Sequence, residues 1–252
     1  MGKVYLANTG LIKPYNEGTM KVKKALLQTG QGEVDVKAAS LSADEVEVIL
    51  LKLDQLALTY QSEAIATMLA EEVESILAAI RMVKDETKEP FMGIQALGSA
   101  LDIAWLRPRN VGETNTLNHA GTAGLGLYSG TSAAVYSWLH SFIAGTDADI
   151  IPQQTMAEEA AVVHLGAIDT SEIPKVNAIT FVLQGVPSPT QSMPFNIRRG
   201  LSYFDVPFVR FEKPIIIGPE KQQKLTLTPN ITGDSKVELL SLLITKASLL
   251  VA

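Results

Sequence analysis

The chain has 252 residues, of which 46% are hydrophobic and 19% charged, so it is long enough for one large ordered domain or two modest ones. Its net charge of −6 argues against nucleic-acid binding as the main role, because neutralising phosphates requires clustered lysine and arginine. The sequence contains no cysteine, which excludes disulfides, thiolate nucleophiles and zinc–thiolate sites. A mean hydropathy of +0.17 with so few charges indicates that partners cover part of the apolar surface.

The N-terminal region is basic and predicts strands. Candidate strands cover residues 3–7 and 19–29, with a glycine-containing turn at 30–32. Its excess of lysine has two interpretations, solvated strand faces or contact with an acidic surface such as packaged nucleic acid. Residues 1–8 lack the apolar core of a signal peptide, so we expect synthesis and assembly in the cytoplasm. We interpret the chain as a single compact subunit with four regions: 1–41, 42–90, 91–159 and 160–252.

The second region predicts two helices. Ser42 and Glu45 have the spacing of a capping box, which predicts a helix to about residue 57. A second and longer helix is predicted from Ser62 to Thr87. It carries an apolar stripe that packs on a sheet or on the first helix, or else forms a helix pair between subunits. The stripe consists of Leu69, Val73, Ile76, Ile80 and Val83.

The third region contains 33 consecutive residues without Asp, Glu, Lys or Arg, from Thr114 to Thr146. That length suggests a membrane span, and Gly126 and Gly130 have the spacing of a helix-pairing motif. The run is nevertheless diluted by Gly, Ser, Thr, Asn and His, so we do not expect a transmembrane span. We expect a short helix at 132–143, with the glycine-rich part packed against a neighbouring backbone or subunit.

The fourth region predicts antiparallel β structure, because eight of the twelve prolines lie between Pro174 and Pro229 and interrupt any helix. Residues 224–228 alternate between leucine and polar side chains, which predicts a strand with one wet face. The apolar runs 178–183 and 239–244 should be buried on both faces. Predicted strands cover 161–168, 175–183, 208–211, 215–217, 224–228 and 236–245. The fold class is therefore α+β and mainly β, an antiparallel β-sandwich or jelly roll with a helical block (42–87) inserted after N-terminal strands.

Few residues suggest chemistry. The run Gly124-x-Gly126-x-x-x-Gly130 is one residue too long for a dinucleotide loop, and no βαβ pattern surrounds it. The three histidines, His119, His140 and His164, form no ligand pair, and His164 lies in an apolar strand where a hydrogen-bonded core or interface histidine is expected. We therefore assign no catalytic, cofactor-binding or metal-binding residue and do not expect an enzyme.

Other polar groups have mainly structural interpretations. Two acidic pairs could supply carboxylates for metal binding or acid–base chemistry, but such pairs are usually solvated. They are Asp147 with Asp149 and Glu158 with Glu159. Asn230 begins a glycosylation sequon that we interpret as a turn. No Gly-x-Ser-x-Gly elbow is present. The sequence does not exclude a serine triad, because the members of a triad can come from distant segments.

The C-terminal strands carry a resemblance. Residues 173–183 and the tail from Phe211 to Ile244 contain a buried strand, a proline-rich excursion, a strand rich in branched residues, an alternating strand and a final apolar strand. This order resembles the closing strands of jelly-roll coat proteins of icosahedral viruses and phages. The helical block at 42–87 is longer than such coats usually carry, so another lattice fold crossed by a long helix stays open.

The resemblance implies a structural protein that assembles with copies of itself into a closed lattice, a capsid subunit located in the virion. The lattice contacts are expected through the 62–87 stripe and the 114–146 run, with other virion proteins as further partners and only weak or indirect nucleic-acid contact. Two alternatives stay open. A β-sandwich attachment module would use the loop aromatics Tyr203, Phe204 and Phe208, and a small-molecule enzyme would need a polar pocket that the sequence does not reveal.

Overall fold

The computed structural model describes residues 41–107, 116–117, 137–169, 173–183 and 209–250, in which nine strands and four α-helices occur. The helices are α1 (Ala43–Tyr60), α2 (Glu63–Glu71), α3 (Val73–Thr87) and the short α4 (Ala247–Leu250), with a 3-10 turn at Gly93–Gln95. The strands are β1 (Leu101–Trp105), β2 (Thr116–Leu117), β3 (Ser137–Phe142), β4 (Ala148–Met156), β5 (Ala161–Asp169), β6 (Val176–Leu183), β7 (Val209–Ile217), β8 (Gln222–Pro229) and β9 (Gly233–Lys246).

The strands form two sheets, and all their pairings are antiparallel except the short one between β2 and β4. Sheet A has the order β1-β9-β5-β7, and β3 also pairs with β9. The long strand β9 contacts β5 on one side, while β3 and β1 follow one another along its other side. Sheet B has the order β2-β4-β8-β6. The prediction of a mainly β fold with antiparallel sheets and a few helices is confirmed.

Local sequence signals set the start of α1 and α2. The side chain of Ser42 accepts a hydrogen bond from the Glu45 amide while the Glu45 carboxylate accepts one from the Ser42 amide, so the predicted capping box is present. α1 ends at Tyr60, and Gln61 follows it with a left-handed backbone. Ser62 then caps α2. None of the helices described is long and apolar enough to cross a membrane.

The predicted single helix from Ser62 to Thr87 is wrong in one respect, because it divides into α2 and α3 at Glu72. Glu71 and Glu72 both bind the guanidinium of Arg210 on β7. Adjacent residues of an uninterrupted helix point in different directions, about 100° apart. A break at Glu72 therefore suits the binding of both carboxylates by one arginine.

The apolar stripe of α2 and α3 is buried within the chain. Its five members are at most 1% exposed and belong to a cluster with residues of β1, β5 and β9. The helices thus cover one face of sheet A. The stripe therefore packs on a sheet, as the first interpretation predicted. The stripe is already buried against sheet A of the same chain, so it leaves no surface for the expected lattice contact.

A second hydrophobic cluster draws side chains from both sheets. It includes Trp138, Phe211 and Leu243 from sheet A and Ile151, Phe181 and Leu225 from sheet B. Sheet A is consequently buried on both faces, which confirms the prediction that residues 239–244 are enclosed on both sides. In the alternating run 224–228 both leucines are fully buried, as predicted, but the other face is not fully wet, because Thr226 is buried as well.

Two strand predictions and one helix prediction need correction. The segments predicted at 208–211 and 215–217 are not two separate strands, because Val209–Ile217 form one strand, β7, which contains Pro214. Proline is tolerated there because β7 lies at the edge of sheet A and its pairing with β5 is irregular between Arg210 and Ile215. The predicted helix at 132–143 is wrong over Ser137–Phe142, since these residues pair with β9 as β3.

The expectation that 178–183 is buried on both faces is also wrong. Val182 is 40% exposed, because the helices cover sheet A and no described element covers the outer face of sheet B. The predictions for 1–40 lie outside the described residues, as does most of the 114–146 run.

Candidate functional site: the inter-sheet joint

A buried histidine connects the two sheets. His164 on β5 lies directly opposite Ser241 on β9, and its Nδ1 is 2.7 Å from the Ser241 Oγ. Its Nε2 is 2.8 Å from the Oε1 of Gln223, which belongs to β8 of sheet B. All three side chains are buried. We call His164, Ser241 and Gln223 the inter-sheet joint; it confirms the prediction of a hydrogen-bonded core histidine.

For the neutral imidazole, the hydrogen bonds specify one tautomer. An amide oxygen only accepts hydrogen bonds, so with Gln223 oriented in this way the His164 Nε2 carries the proton. The Nδ1 then accepts a hydrogen bond from the Ser241 hydroxyl. The ring lies 4.9 Å from the Phe181 ring, and the Gln223 amide nitrogen faces the Met156 sulfur at 3.7 Å. Both ring nitrogens of the neutral imidazole are therefore satisfied in apolar surroundings.

The electrostatics of the joint favour this neutral form. Burial lowers the pKa of His164 to about 4, although the hydrogen bond to Gln223 opposes the shift. The imidazole is therefore uncharged near neutral pH. With no exposed surface and both nitrogens engaged, it is placed to hold the sheets together.

A bulge in β5 directs this histidine. The pairing shifts between His164 and Gly166, so that β5 has one residue more than β9 over this stretch. A Cβ atom at position 166 would lie 2.4 Å from the backbone oxygen of Val209 on β7. Glycine is thus the residue that allows β7 to approach here.

A buried carboxylate ties the ends of three strands together. Asp169 closes β5 and accepts hydrogen bonds from the Ser235 hydroxyl at 2.8 and 2.9 Å. It also accepts hydrogen bonds from the backbone amides of Lys175 and Val176, at 3.0 and 3.4 Å. These contacts fix the start of β6 and the first part of β9 against the end of β5, which is a structural role.

A third polar centre joins the ends of the helical block. Besides the capping bond, the Glu45 carboxylate accepts a hydrogen bond from the Phe91 amide at 3.0 Å and forms an ion pair with the Lys84 ammonium at 2.7 Å. Partial burial tends to raise the pKa of Glu45. The bonds from Lys84, Ser42 and Phe91 outweigh that tendency, so the pKa is lowered. Glu45 therefore stabilises the helical block as a carboxylate.

The acidic pairs that the sequence suggested do not converge. Asp147 accepts the Thr228 hydroxyl at 2.7 Å, and Asp149 binds Thr226 at 2.8 Å and Lys224 at 2.9 Å. Glu158 and Glu159 lie in the turn between β4 and β5. Among the residues with described positions, no group of three or more His, Asp or Glu could hold a metal ion. Asn230 lies in the connection between β8 and β9, as its interpretation as a turn predicted.

Several candidates lie outside the described part of the chain. They are His119, the glycines at 124, 126 and 130, the loop aromatics Tyr203, Phe204 and Phe208, and the side chain of His140. Sequence reasoning also missed two members of the joint. A sequence signal for Ser241 did exist, since it is the single polar residue in the apolar run 239–244 and a buried hydroxyl needs a hydrogen-bond partner. Gln223 had none, because its role depends on how the sheets pack.

Comparisons with known proteins show no family. No family model matches the chain, and no curated protein sequence matches it. Among solved structures it is similar to the mosquito-larvicidal Cry4Aa toxin of Bacillus thuringiensis, at 9% identity and a TM-score of 0.23. The match covers 62% of this chain but only 24% of the toxin chain. A likeness at that score carries no argument about fold or function.

Proposed function

We propose that this chain is a structural subunit that assembles with copies of itself into a closed lattice of the viral capsid type. Its two sheets act as an antiparallel β-sandwich of the jelly-roll kind, and the helices form a third layer. The hydrophobic cluster shared by sheets A and B supports the sandwich, because inner faces of packed sheets share one core. In a virion, such a subunit would be the repeated unit of the shell.

The observation that carries this proposal is a pair of exposed isoleucines on two turns that border the β8–β9 connection. Ile143, in the β3–β4 connection, is 64% exposed, and Ile173, just before β6, is 58% exposed. We call these two residues the end patch. Exposed branched side chains on turns favour coverage by a partner, since burying the exposed part of each is worth about 1 to 2 kcal/mol.

Hydrogen bonds join the turns that carry these isoleucines to the β8–β9 connection. The Gly145 amide donates to the Pro229 oxygen at 3.0 Å, and the Ala144 amide donates to the Thr232 hydroxyl at 3.1 Å. On the other side, the Asn230 amide donates to the Lys175 oxygen at 3.0 Å. The two isoleucines therefore project from turns that share one support, which suits a repeated contact between subunits. The 114–146 run, whose end includes Ile143, stays part of the proposed contact surface.

Light scattering after size-exclusion chromatography, followed by negative-stain imaging, tests the proposal. We expect assemblies much larger than a monomer at high protein concentration. The double variant Ile143→Asp/Ile173→Asp should dissociate them without lowering the thermal unfolding midpoint. The control variant Met82→Asp places one such charge on a side chain that is 43% exposed on α3, and it should leave assembly intact.

Two results contradict the proposal. A wild-type protein that stays monomeric at high concentration has no lattice-forming surface. Assemblies that form equally well with both isoleucines replaced would remove the end patch as the contact and with it the main support for the assignment.

A further inference from the structure

Sheet A separates two hydrophobic clusters that have no residue in common. The helical cluster lies between the helices and sheet A, and none of its described members belongs to sheet B. The inter-sheet cluster lies on the opposite face of sheet A and draws residues from both sheets. Helices packed on one sheet form a two-layer arrangement with its own core. The helices and sheet A therefore keep a core of their own when sheet B moves away.

The inter-sheet cluster contains a buried polar atom without a partner. Trp138 on β3 is 1% exposed, and its Nε1 has no hydrogen-bond partner among the residues that the structure describes. A buried donor of this kind has given up its hydrogen bond to water without a replacement, which costs free energy. Separation of the two sheets removes a cost that the closed form carries.

The inter-sheet joint suits a neutral imidazole. The Ser241 hydroxyl donates to the His164 Nδ1 at 2.7 Å, and the Nε2 donates to the Gln223 Oε1 at 2.8 Å. A second proton on the ring would occupy Nδ1, so the Ser241 hydroxyl would lose its acceptor and would have to turn away. The new positive charge would also be fully buried. Protonation therefore opposes the closed joint through its geometry and through its charge.

Uncharged side chains surround the joint in the described part of the chain. Ile215 of β7 lies opposite His164, Phe181 of β6 lies beside its ring, and Met156 of β4 faces the Gln223 amide. The charged residues of the surrounding strands have other partners or lie elsewhere. They are Asp169, which binds Ser235; Lys224, which pairs with Asp149; Arg210, which binds Glu71 and Glu72; Glu238, which binds Tyr60; the exposed Glu212, Lys213, Asp234 and Lys236; and Lys246 at the end of β9. None of these charges contributes to the lowered pKa of His164, whose main cause is burial.

We propose that the inter-sheet joint is a pH-sensitive switch, in which protonation of His164 opens the contact between sheets A and B while the helices stay packed on sheet A. The imidazolium is solvated in the open form and buried in the closed form, so acid shifts the population toward the open form. All three residues of the joint belong to one chain. The opening therefore does not depend on assembly.

The pKa values set the pH range and the size of the shift. The pKa of His164 is about 4 in the closed form and returns to the ordinary 6.5 when water reaches the ring. Because the closed-form pKa is lowered, the closed form is favoured fully above about pH 6.5 and loses that advantage down to about pH 4. The opening constant rises by at most about 300-fold, which is 10 to the power 2.5. Between pH 7 and pH 5 the same relation gives about 20-fold.

Hydrogen exchange of the wild-type chain tests the opening. After correction for the intrinsic rate at each pH, the protected amides of β4, β6 and β8 should lose about 20-fold in protection between pH 7 and pH 5. The amides of α1 and α3 should stay better protected than those of sheet B at pH 5, because they do not open with it. Equal protection of the helices and sheet B would mean that the chain opens only as a whole, and it would overturn the proposal.

Two variants assign the effect to the histidine. In His164→Gln, which does not titrate, sheet B should not show the 20-fold loss that the wild type shows. Asp169→Asn removes the other buried titratable side chain of β5 and should leave that loss in place. A loss of the same size in His164→Gln, or a loss abolished by Asp169→Asn, would rule out His164 as the switch.

The two tryptophans report on the two clusters separately. Trp138 belongs to the inter-sheet cluster and Trp105 to the helical cluster, and the chain has no other tryptophan. Trp105→Phe leaves Trp138 as the reporter, and Trp138→Phe leaves Trp105. In urea, the emission of Trp138 should shift to the red before that of Trp105, and the gap between the two midpoints should widen from pH 8 to pH 5. A gap that stays the same contradicts the switch, because the stability effects of the substitutions themselves cancel in that comparison.

Discussion

Acid should weaken the fold through His164, and the structure gives the direction and size of the effect. The pKa of His164 lies near 4 in the folded protein, below the ordinary value of 6.5 expected after unfolding. Between these values the unfolded chain binds a proton that the folded chain excludes, so stability falls as the pH falls. The histidine contribution is fully present above about pH 6.5 and is lost progressively down to about pH 4.

The size of the effect follows from the same pair of values. A pKa difference between 6.5 and about 4 corresponds to about 3 kcal/mol of unfolding free energy. Typical domains are stable by about 5 to 15 kcal/mol, so this loss is a large share of the total. No charged group contacts the imidazole among its described neighbours Ser241, Gln223, Met156 and Phe181. Nothing described there offsets a buried imidazolium charge.

The variant His164→Gln isolates this contribution. Glutamine keeps a donor and an acceptor but does not titrate, so it should cost about 1 to 3 kcal/mol at pH 8 through poorer hydrogen bonding. Urea unfolding at several pH values between 4 and 8 gives the free energy for both proteins. Relative to the variant, the wild type should lose about 3 kcal/mol as the pH falls from 6.5 to 4, so that at pH 4 the variant is as stable as the wild type or more stable, because carboxylates titrate alike in both. Parallel curves for variant and wild type over this range would refute the reasoning.

Two further predictions concern the fold. Gly166→Ala should destabilise the protein by about 2 to 4 kcal/mol in urea unfolding, because the new Cβ would lie 2.4 Å from the Val209 oxygen and β7 would have to move. Glu45→Gln should cost about 1 to 2 kcal/mol at pH 7, since it weakens the capping bond and the ion pair with Lys84. Because the pKa of Glu45 is lowered, that loss should diminish as the pH falls through the titration range of the carboxylate.

Matched variants control both predictions. Gly98→Ala introduces the same methyl group with no atom within 4 Å, at a left-handed backbone, and should cost only about 1 kcal/mol. Glu47→Gln removes an exposed carboxylate of the same helix and should change stability by less than about 0.5 kcal/mol. If each control is as damaging as its partner, crowding at Gly166 or bonding at Glu45 is the wrong explanation.

The features that were predictable from sequence depend on neighbouring residues. The capping box of Ser42 and Glu45 operates over three positions, so its pattern is complete in the sequence. β5, β8 and β9 have period-2 or continuous apolar patterns bounded by turns, and the predicted ranges lie inside the observed strands. The burial of His164 follows from the apolar residues on both sides of it.

The features that were missed depend on distant residues. The break at Glu72 involves Arg210, which lies 138 positions away in the chain. The strand β3 was predicted as a helix, because its side chains suit either state and pairing with β9 decides between them. Gln223 enters the joint only when sheet B packs on sheet A, and no local pattern signals that contact.

The bulge in β5 explains how one strand serves two cores. Before it, Val163 and Leu165 belong to the helical cluster while His164 faces sheet B. After it, Ala167 belongs to the inter-sheet cluster and the partly buried Ile168 packs against the helical one, so the alternation is reversed. In a regular strand Ile168 would share the face of His164, and an apolar contact with the helices would be lost. The residue Gly166 and the joint at His164 are therefore parts of one feature, which lets β5 present apolar side chains to the helices and a polar link to sheet B.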